Sequence, residues 1–154
     1  MTLNINWQAK HFVELTTDEL YEALKLRVDV FVVEQTCYYP ELDEKDRDSE
    51  TIHLLGYDNG VLVAYLRLLA PNISYPDCVS IGRVATAQAY RGKGIGHPLM
   101  HKALELCAQT WPNIDIKIGA QEHLEKYYNQ HNFTRVSDMY LEDDIPHIDM
   151  LRPS

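Results

Sequence analysis

The 154-residue sequence predicts a mixed α/β (α+β) fold. Three observations carry that prediction. Apolar runs with strand character alternate with stretches of helical spacing. An Asn-Gly pair joins two of the apolar runs, and a glycine-rich turn stands between a strand and a helix. The element order they imply is β, α, β, β, β, α, β, α, β, β, and no linker-like composition shift or internal repeat interrupts it.

Residues 12–15 are expected to end a first strand. Thr16 and Glu19 then form a Thr-x-x-Glu capping box, in which each side chain satisfies a backbone N–H at the helix start. Leu20, Leu24, Val28 and Phe31 or Val32 follow at helical spacing and predict one buried face. Residues 41–50 hold six acidic side chains in ten and read as an exposed, solvated loop. Residues 52–57 and 61–69 read as two strands. Asp58-Asn59-Gly60 joins them as a hairpin, because Asn and Gly both tolerate positive φ.

Prolines at 71 and 76 break the pattern, and residues 79–85 form another strand. After the glycine-rich turn, Ile95, Leu99, Ala103, Leu106 and Cys107 define a helix whose first turn must contain Pro98, where a missing N–H costs nothing. Trp111-Pro112 ends it. Ile114, Ile116 and Ile118 alternate as a strand, residues 121–130 are helical, and residues 133–141 and 145–150 close with strands.

A net charge of −9 argues against a general nucleic-acid binder, which carries a basic surface. It is compatible with a cationic acceptor drawn in by the overall field, but on charge alone the simpler reading is a protein kept soluble by its acidity. The apolar stretch 61–70 is interrupted by Arg67 and is far shorter than a membrane span requires. Residues 1–14 lack the basic start and apolar run of a signal peptide. Cys37, Cys78 and Cys107 form no Cys-x-x-Cys pair and are odd in number, as in a reduced, cytoplasmic protein with no zinc site.

The chemistry is expected at Gln88-Ala89-Tyr90-Arg91-Gly92-Lys93-Gly94-Ile95-Gly96. A strand leads in and a helix leads out, so free N–H groups and the positive end of the helix converge on one spot, which attracts phosphate. Arg91 and Lys93 add charge. A P-loop is excluded because Gly94, not Ser or Thr, follows Lys93. A dinucleotide fingerprint is excluded because its third glycine comes one position early and the turn falls mid-chain.

The run Arg91-x-x-Gly94-x-Gly96 resembles motif A of the GNAT (Gcn5-related N-acetyltransferase) superfamily, with residues 81–86 as its leading strand. Residues 121–133 resemble motif B, with Gln121, Leu124 and Asn132 where Asn, Ala and Gly are usual. Asn132 tolerates the left-handed conformation that ends a helix, so it serves the same backbone purpose. Arg27–Gln35, Gly82-Arg83-Val84, Gly119-Ala120-Gln121 and Ile145-Pro146-His147-Ile148 further resemble the ElaA-like branch.

That resemblance implies the GNAT acyl-CoA N-acyltransferase fold over residues 1–154 as one domain, a mixed, mostly antiparallel sheet with helices on both faces. It implies acetyl-CoA as co-substrate, no metal, a small-molecule or peptide amine acceptor, and a fold that often dimerises. A catalytically weak acetyl-CoA-binding or sensing module is the alternative. Arg91, Gly92, Lys93, Gly94, Ile95 and Gly96 would hold the pyrophosphate. Val84, Ala85 and Thr86 would pair with the pantetheine arm, and Gln121 would add amide hydrogen bonds. Tyr128 would protonate the departing thiolate. The strand before motif A holds no carboxylate to deprotonate the amine. Glu34 and His147 are therefore the candidate bases, ahead of His53. His97 and His101, four apart on a helix, lack an apparent third ligand.

Overall fold

The computed structural model describes residues 4–154; the first three residues of the segment read for a leader lie outside that range. β1 (Asn6–Lys10), β2 (Ile52–Asp58), β3 (Val61–Leu69) and β4 (Ser80–Thr86) form an antiparallel sheet in chain order. A second sheet has β8 (Ile145–Arg152) at its centre, paired with β5 (Ile116–Gln121) on one side. The short β6 (Thr134–Arg135) and β7 (Tyr140–Glu142) pair with β8 as well. Asn59 and Gly60 adopt φ of 50° and 81°, the conformation that closes the expected β2–β3 hairpin.

Helices cover both faces of the first sheet. α1 (Thr17–Arg27) starts at the Thr16 capping box, where Thr16 Oγ1 accepts from the Glu19 N–H and Glu19 Oε1 accepts from the Thr16 N–H. Its Ala23 and Leu26, with Val30 just beyond, pack against Leu55, Tyr65 and Ala85. α2 (Gly96–Thr110) buries Leu99, Met100 and Ala103 against Leu54, Leu66 and Ile118 on the opposite face. Because both faces are covered, β2 and β3 are largely apolar rather than alternating, with His53 and Arg67 as buried polar exceptions. α3 (Glu125–Asn129) is one short piece behind a 3₁₀ turn at Glu122–Leu124.

Three expectations need correction. Residues 12–14 form a 3₁₀ turn after β1, which lies upstream at Asn6–Lys10. The expected last-but-one strand splits into β6 and β7: Val136 N–H still donates to the Asp149 carbonyl, but the Asp149 N–H turns to the Ser137 hydroxyl, which breaks the backbone ladder. The buried face of α1 is rotated from Leu20 and Leu24 towards Ala23, Leu26 and Arg27. A charged side chain there defeats a hydrophobic count. Beyond Arg27 the helix widens into a π-helical turn, Val28–Glu34, a feature frequent at functional sites.

Candidate active site

The two sheets touch at one point and then part. Val79 N–H donates to the Asp115 carbonyl and Lys117 N–H to the Val79 carbonyl, both at 2.9 Å. Beyond this parallel bridge β4 and β5 diverge, leaving two strand edges that face each other across a cleft of about 490 Å³. A β-bulge lies on the β4 wall. Tyr65 pairs with Ala85 and Arg67 with Gly82, so Arg83 and Val84 together oppose Leu66 and neither has a register partner. Arg83 holds φ of 53°, a left-handed conformation that costs a non-glycine residue about 1–2 kcal/mol. The surroundings must impose it.

At the open end, Gly92 and Gly94 take φ of 76° and 78°, which only glycine adopts freely, and this curls the turn over the start of α2. Ile95 is buried and anchors the turn. The Tyr127 hydroxyl donates to the Gly96 carbonyl at 2.7 Å, tying the turn to α3. Lys93 Nζ sits 5.1 Å from the Tyr90 ring centre, and the Tyr90 hydroxyl donates to Asp58 at 2.8 Å. Arg91 donates to the Thr86 carbonyl and pairs with Glu34. The sequence-predicted phosphate residues therefore gather at one helix start.

Tyr128 lines the cleft from the far side and is only 6% exposed. Its ring packs edge-on against Tyr127 and Phe133, while its hydroxyl makes no hydrogen bond within the described residues. Burial pushes this phenol well above its ordinary value. His147 also lines the cleft. Its Nδ1 donates to the Ile145 carbonyl at 2.8 Å, and a carbonyl can only accept, so Nδ1 carries the proton. Nε2 lies 3.4 Å from Glu142 Oε2. Gln121 ends β5 opposite His147, and its amide donates to the Gln35 side chain at 3.1 Å.

A profile of the acetyltransferase (GNAT) domain matches residues 17–152. The chain is 44% identical to Protein ElaA of Escherichia coli over 148 residues, 96% of each chain. The chain belongs to the GNAT family, in the branch of ElaA. The crystal structure of Escherichia coli ElaA superposes with a TM-score of 0.91 at 43% identity, covering 97% of this chain and 99% of that one. An acyl-CoA N-acyltransferase from Pseudomonas aeruginosa superposes at 0.92 with 46% identity, again over 97% and 99%.

The GNAT cleft gathers some of the expected side chains and not others. Glu34 is a correction: the π-helical turn directs Phe31 and Gln35 into the cleft and leaves Glu34 outside, paired with Arg91. His53 is buried away from the cleft. Its Nε2 donates to the Asp46 carbonyl at 3.0 Å and its Nδ1 accepts from the Tyr65 hydroxyl at 2.7 Å. His97 turns instead to His131, with ring nitrogens 2.9 Å apart.

The largest correction concerns the acidic segment 41–50, which is solvated only in part: Leu42, Glu44, Arg47, Ser49 and Glu50 are exposed, but the rest is not. Glu41, Asp43 and Asp46 fold inward onto Arg27, Arg67 and Arg83. Arg27, 1% exposed, donates from Nε to Glu41 at 2.6 Å and from Nη1 and Nη2 to Asp46 at 2.8 and 3.1 Å. Arg67 donates to Asp43 at 2.7 and 2.9 Å and to Asp46 at 2.8 Å. Arg83 donates from Nε to Glu41 at 2.9 Å. Three cations and three carboxylates thus neutralise one another inside the fold. Burial alone would raise the Asp43 carboxyl, but Arg67 and its neighbours outweigh that and bring it down to about 2.

This lattice clamps Arg83, and with it the bulge that presents Val84 to the cleft. Arginines at 27 and 67, set in otherwise apolar periodicity, were the available signal: a buried guanidinium requires carboxylates, and residues 41–50 supply them.

Proposed function

We propose that this chain transfers an acetyl group from acetyl-CoA to a primary amine by direct attack, with no covalent enzyme intermediate. The observation that carries the proposal is the pair of facing, unpaired strand edges, with a glycine turn and helix start at one end and an unpartnered phenol in the wall. An extended pantetheine arm can add to a free strand edge at Val84, Ala85 and Thr86. The turn at Arg91, Gly92, Lys93, Gly94, Ile95 and Gly96 suits a pyrophosphate, and Gln121 stands on the opposite wall.

Each residue then has one task. The Val84 backbone N–H polarises the acyl carbonyl and stabilises negative charge on its oxygen as the amine nitrogen bonds to carbon. His147 Nε2 takes the proton the amine gives up, and Glu142 beside it favours the resulting imidazolium. Tyr128 gives its hydroxyl proton to the sulfur as the C–S bond breaks. The burial that raises this phenol would also raise a thiol at the same place, which keeps the two matched. Glu34 serves the turn by orienting Arg91.

The test is a Tyr128→Phe variant assayed for free thiol across an amine panel. It should bind acetyl-CoA like the parent and lose on the order of 10²–10⁴-fold in kcat, the usual worth of a positioned proton donor. Undiminished turnover would remove Tyr128 from the mechanism. Binding without thiol release from the parent chain, on any amine, would favour an acetyl-CoA sensor.

A further inference from the structure

The cleft does not end at the bulge. β4 runs back from Val84 through the bulge to Ser80, towards the closed end where the sheets meet. That end is rich in unused donors. Lys45 is the lining cation without a carboxylate partner among the described residues; its Nζ donates only to the Ser74 hydroxyl, at 3.0 Å. Ser80 lines the cleft, is 6% exposed, and its hydroxyl has no partner among the described residues. Arg67 Nε is buried with no acceptor, its terminal nitrogens being spent on Asp43 and Asp46.

Among the described residues, the carboxylates at that end are not free to meet these donors. Asp43 is taken by Arg67 and Glu41 by Arg27 and Arg83. The charge balance reverses at the lip beside His147. There Glu142 and Asp143 line the cleft with no lysine or arginine partner among the described residues. The cavity is therefore bipolar, with free carboxylates where the amine must react and free donors beyond it.

We infer that the acceptor is an amine that also carries a carboxylate, the amine held at the Glu142–His147 lip and the carboxylate received by Lys45, Ser74 and Ser80. The inference rests on reading the cleft as an acyltransferase site. A neutral amine leaves the inner donors unmatched, and a diamine places a second cation beside Lys45. Charge-assisted contacts of this kind separate matched from unmatched ligands by about 10- to 100-fold.

Matched pairs test it: ω-amino acids and dipeptides against their carboxamides, with the corresponding diamines alongside. Thiol release from acetyl-CoA by the full chain should show kcat/KM at least tenfold higher for the carboxylate member, mainly through KM. Lys45→Met, with Ser80→Ala as a second and gentler variant, should bring that ratio towards one. Carboxamides or diamines that match or exceed the carboxylates would overturn the inference, as would a ratio untouched in both variants. Calorimetry of the same pairs on the CoA-saturated chain separates this inference from the reaction. If no pair releases thiol but carboxylates bind at least tenfold tighter than carboxamides, acyl transfer fails and the site assignment stands. Equal binding, or none by either member, refutes the assignment.

Discussion

Replacing Arg27 by Met tests whether the ionic lattice is the frame of the cleft. The variant keeps side-chain bulk and removes four hydrogen bonds, two to Asp46, one to the Glu41 carboxylate and one to the Glu41 carbonyl. At about 1.5–3 kcal/mol for each bond to a charged group, the gross loss is large, but much of it is offset by desolvation that no longer has to be overcome. Arg67 still satisfies Asp46 and Arg83 still satisfies Glu41. The net result is one uncompensated buried negative charge, which costs about 3–5 kcal/mol. At about 2–4 °C per kcal/mol for a chain of this size, the melting temperature should fall by roughly 6–20 °C.

Urea unfolding of Arg27→Met, Asp46→Asn and the double variant forms the cycle. The double variant restores neutrality, so it should be more stable than the two single losses summed, by about 0.5–3 kcal/mol. In the folded variant Glu41 keeps Arg83 but loses its anchor on Arg27, so the clamp on Arg83 loosens and kcat should fall more than acetyl-CoA affinity. A loss below about 1 kcal/mol, or strict additivity, would refute the lattice as a structural frame.

Two further outcomes follow from the same structure. His53 is buried with both ring nitrogens satisfied in the neutral form, and burial lowers its pKa. The unfolded chain therefore binds a proton that the folded chain refuses. Its contribution is complete above pH 6.5 and is lost below it, by up to about 1.4 kcal/mol per pH unit. His53→Gln should flatten the fall in stability between pH 6.5 and 5, and an unchanged slope would count against the assignment. At Gly119 an added Cβ would lie 3.0 Å from the Tyr140 hydroxyl and 3.3 Å from that of Tyr75. Gly119→Val should cost about 1–3 kcal/mol in urea unfolding by displacing Tyr140 from Asp149, and a neutral result would mean the wall yields.

The sequence made the β2–β3 hairpin, the capping box and the glycine turn legible because each depends on local backbone chemistry. Asn59-Gly60, Thr16 with Glu19, and Gly92 with Gly94 dictate φ or hydrogen bonding within a few residues. The bulge at Arg83 was not legible, since arginine has no preference for positive φ and only long-range contacts hold it there. Glu34 was misplaced for a related reason: one π-helical turn changes which residues face the cleft, and periodicity assumes an unbroken helix. Residues 41–50 looked solvated because acidity usually is, and their partners lie up to some forty positions away at Arg83. Tyr128 and His147 reach the cleft where the family resemblance led one to look. The donors at its inner end, Lys45, Ser74 and Ser80, come from three separate segments and show no common pattern in the sequence.

The central claim, that an acyl-CoA occupies the cleft with its phosphates on the glycine turn, is tested most directly by titrating acetyl-CoA into the chain in a calorimeter. One site per chain is predicted. Gly94→Val, which forces a β-branched residue into φ of 78° where nothing lies within 4 Å to clash, should weaken binding about tenfold through backbone strain alone. No heat from the parent chain, or equal affinity in Gly94→Val, would contradict the account.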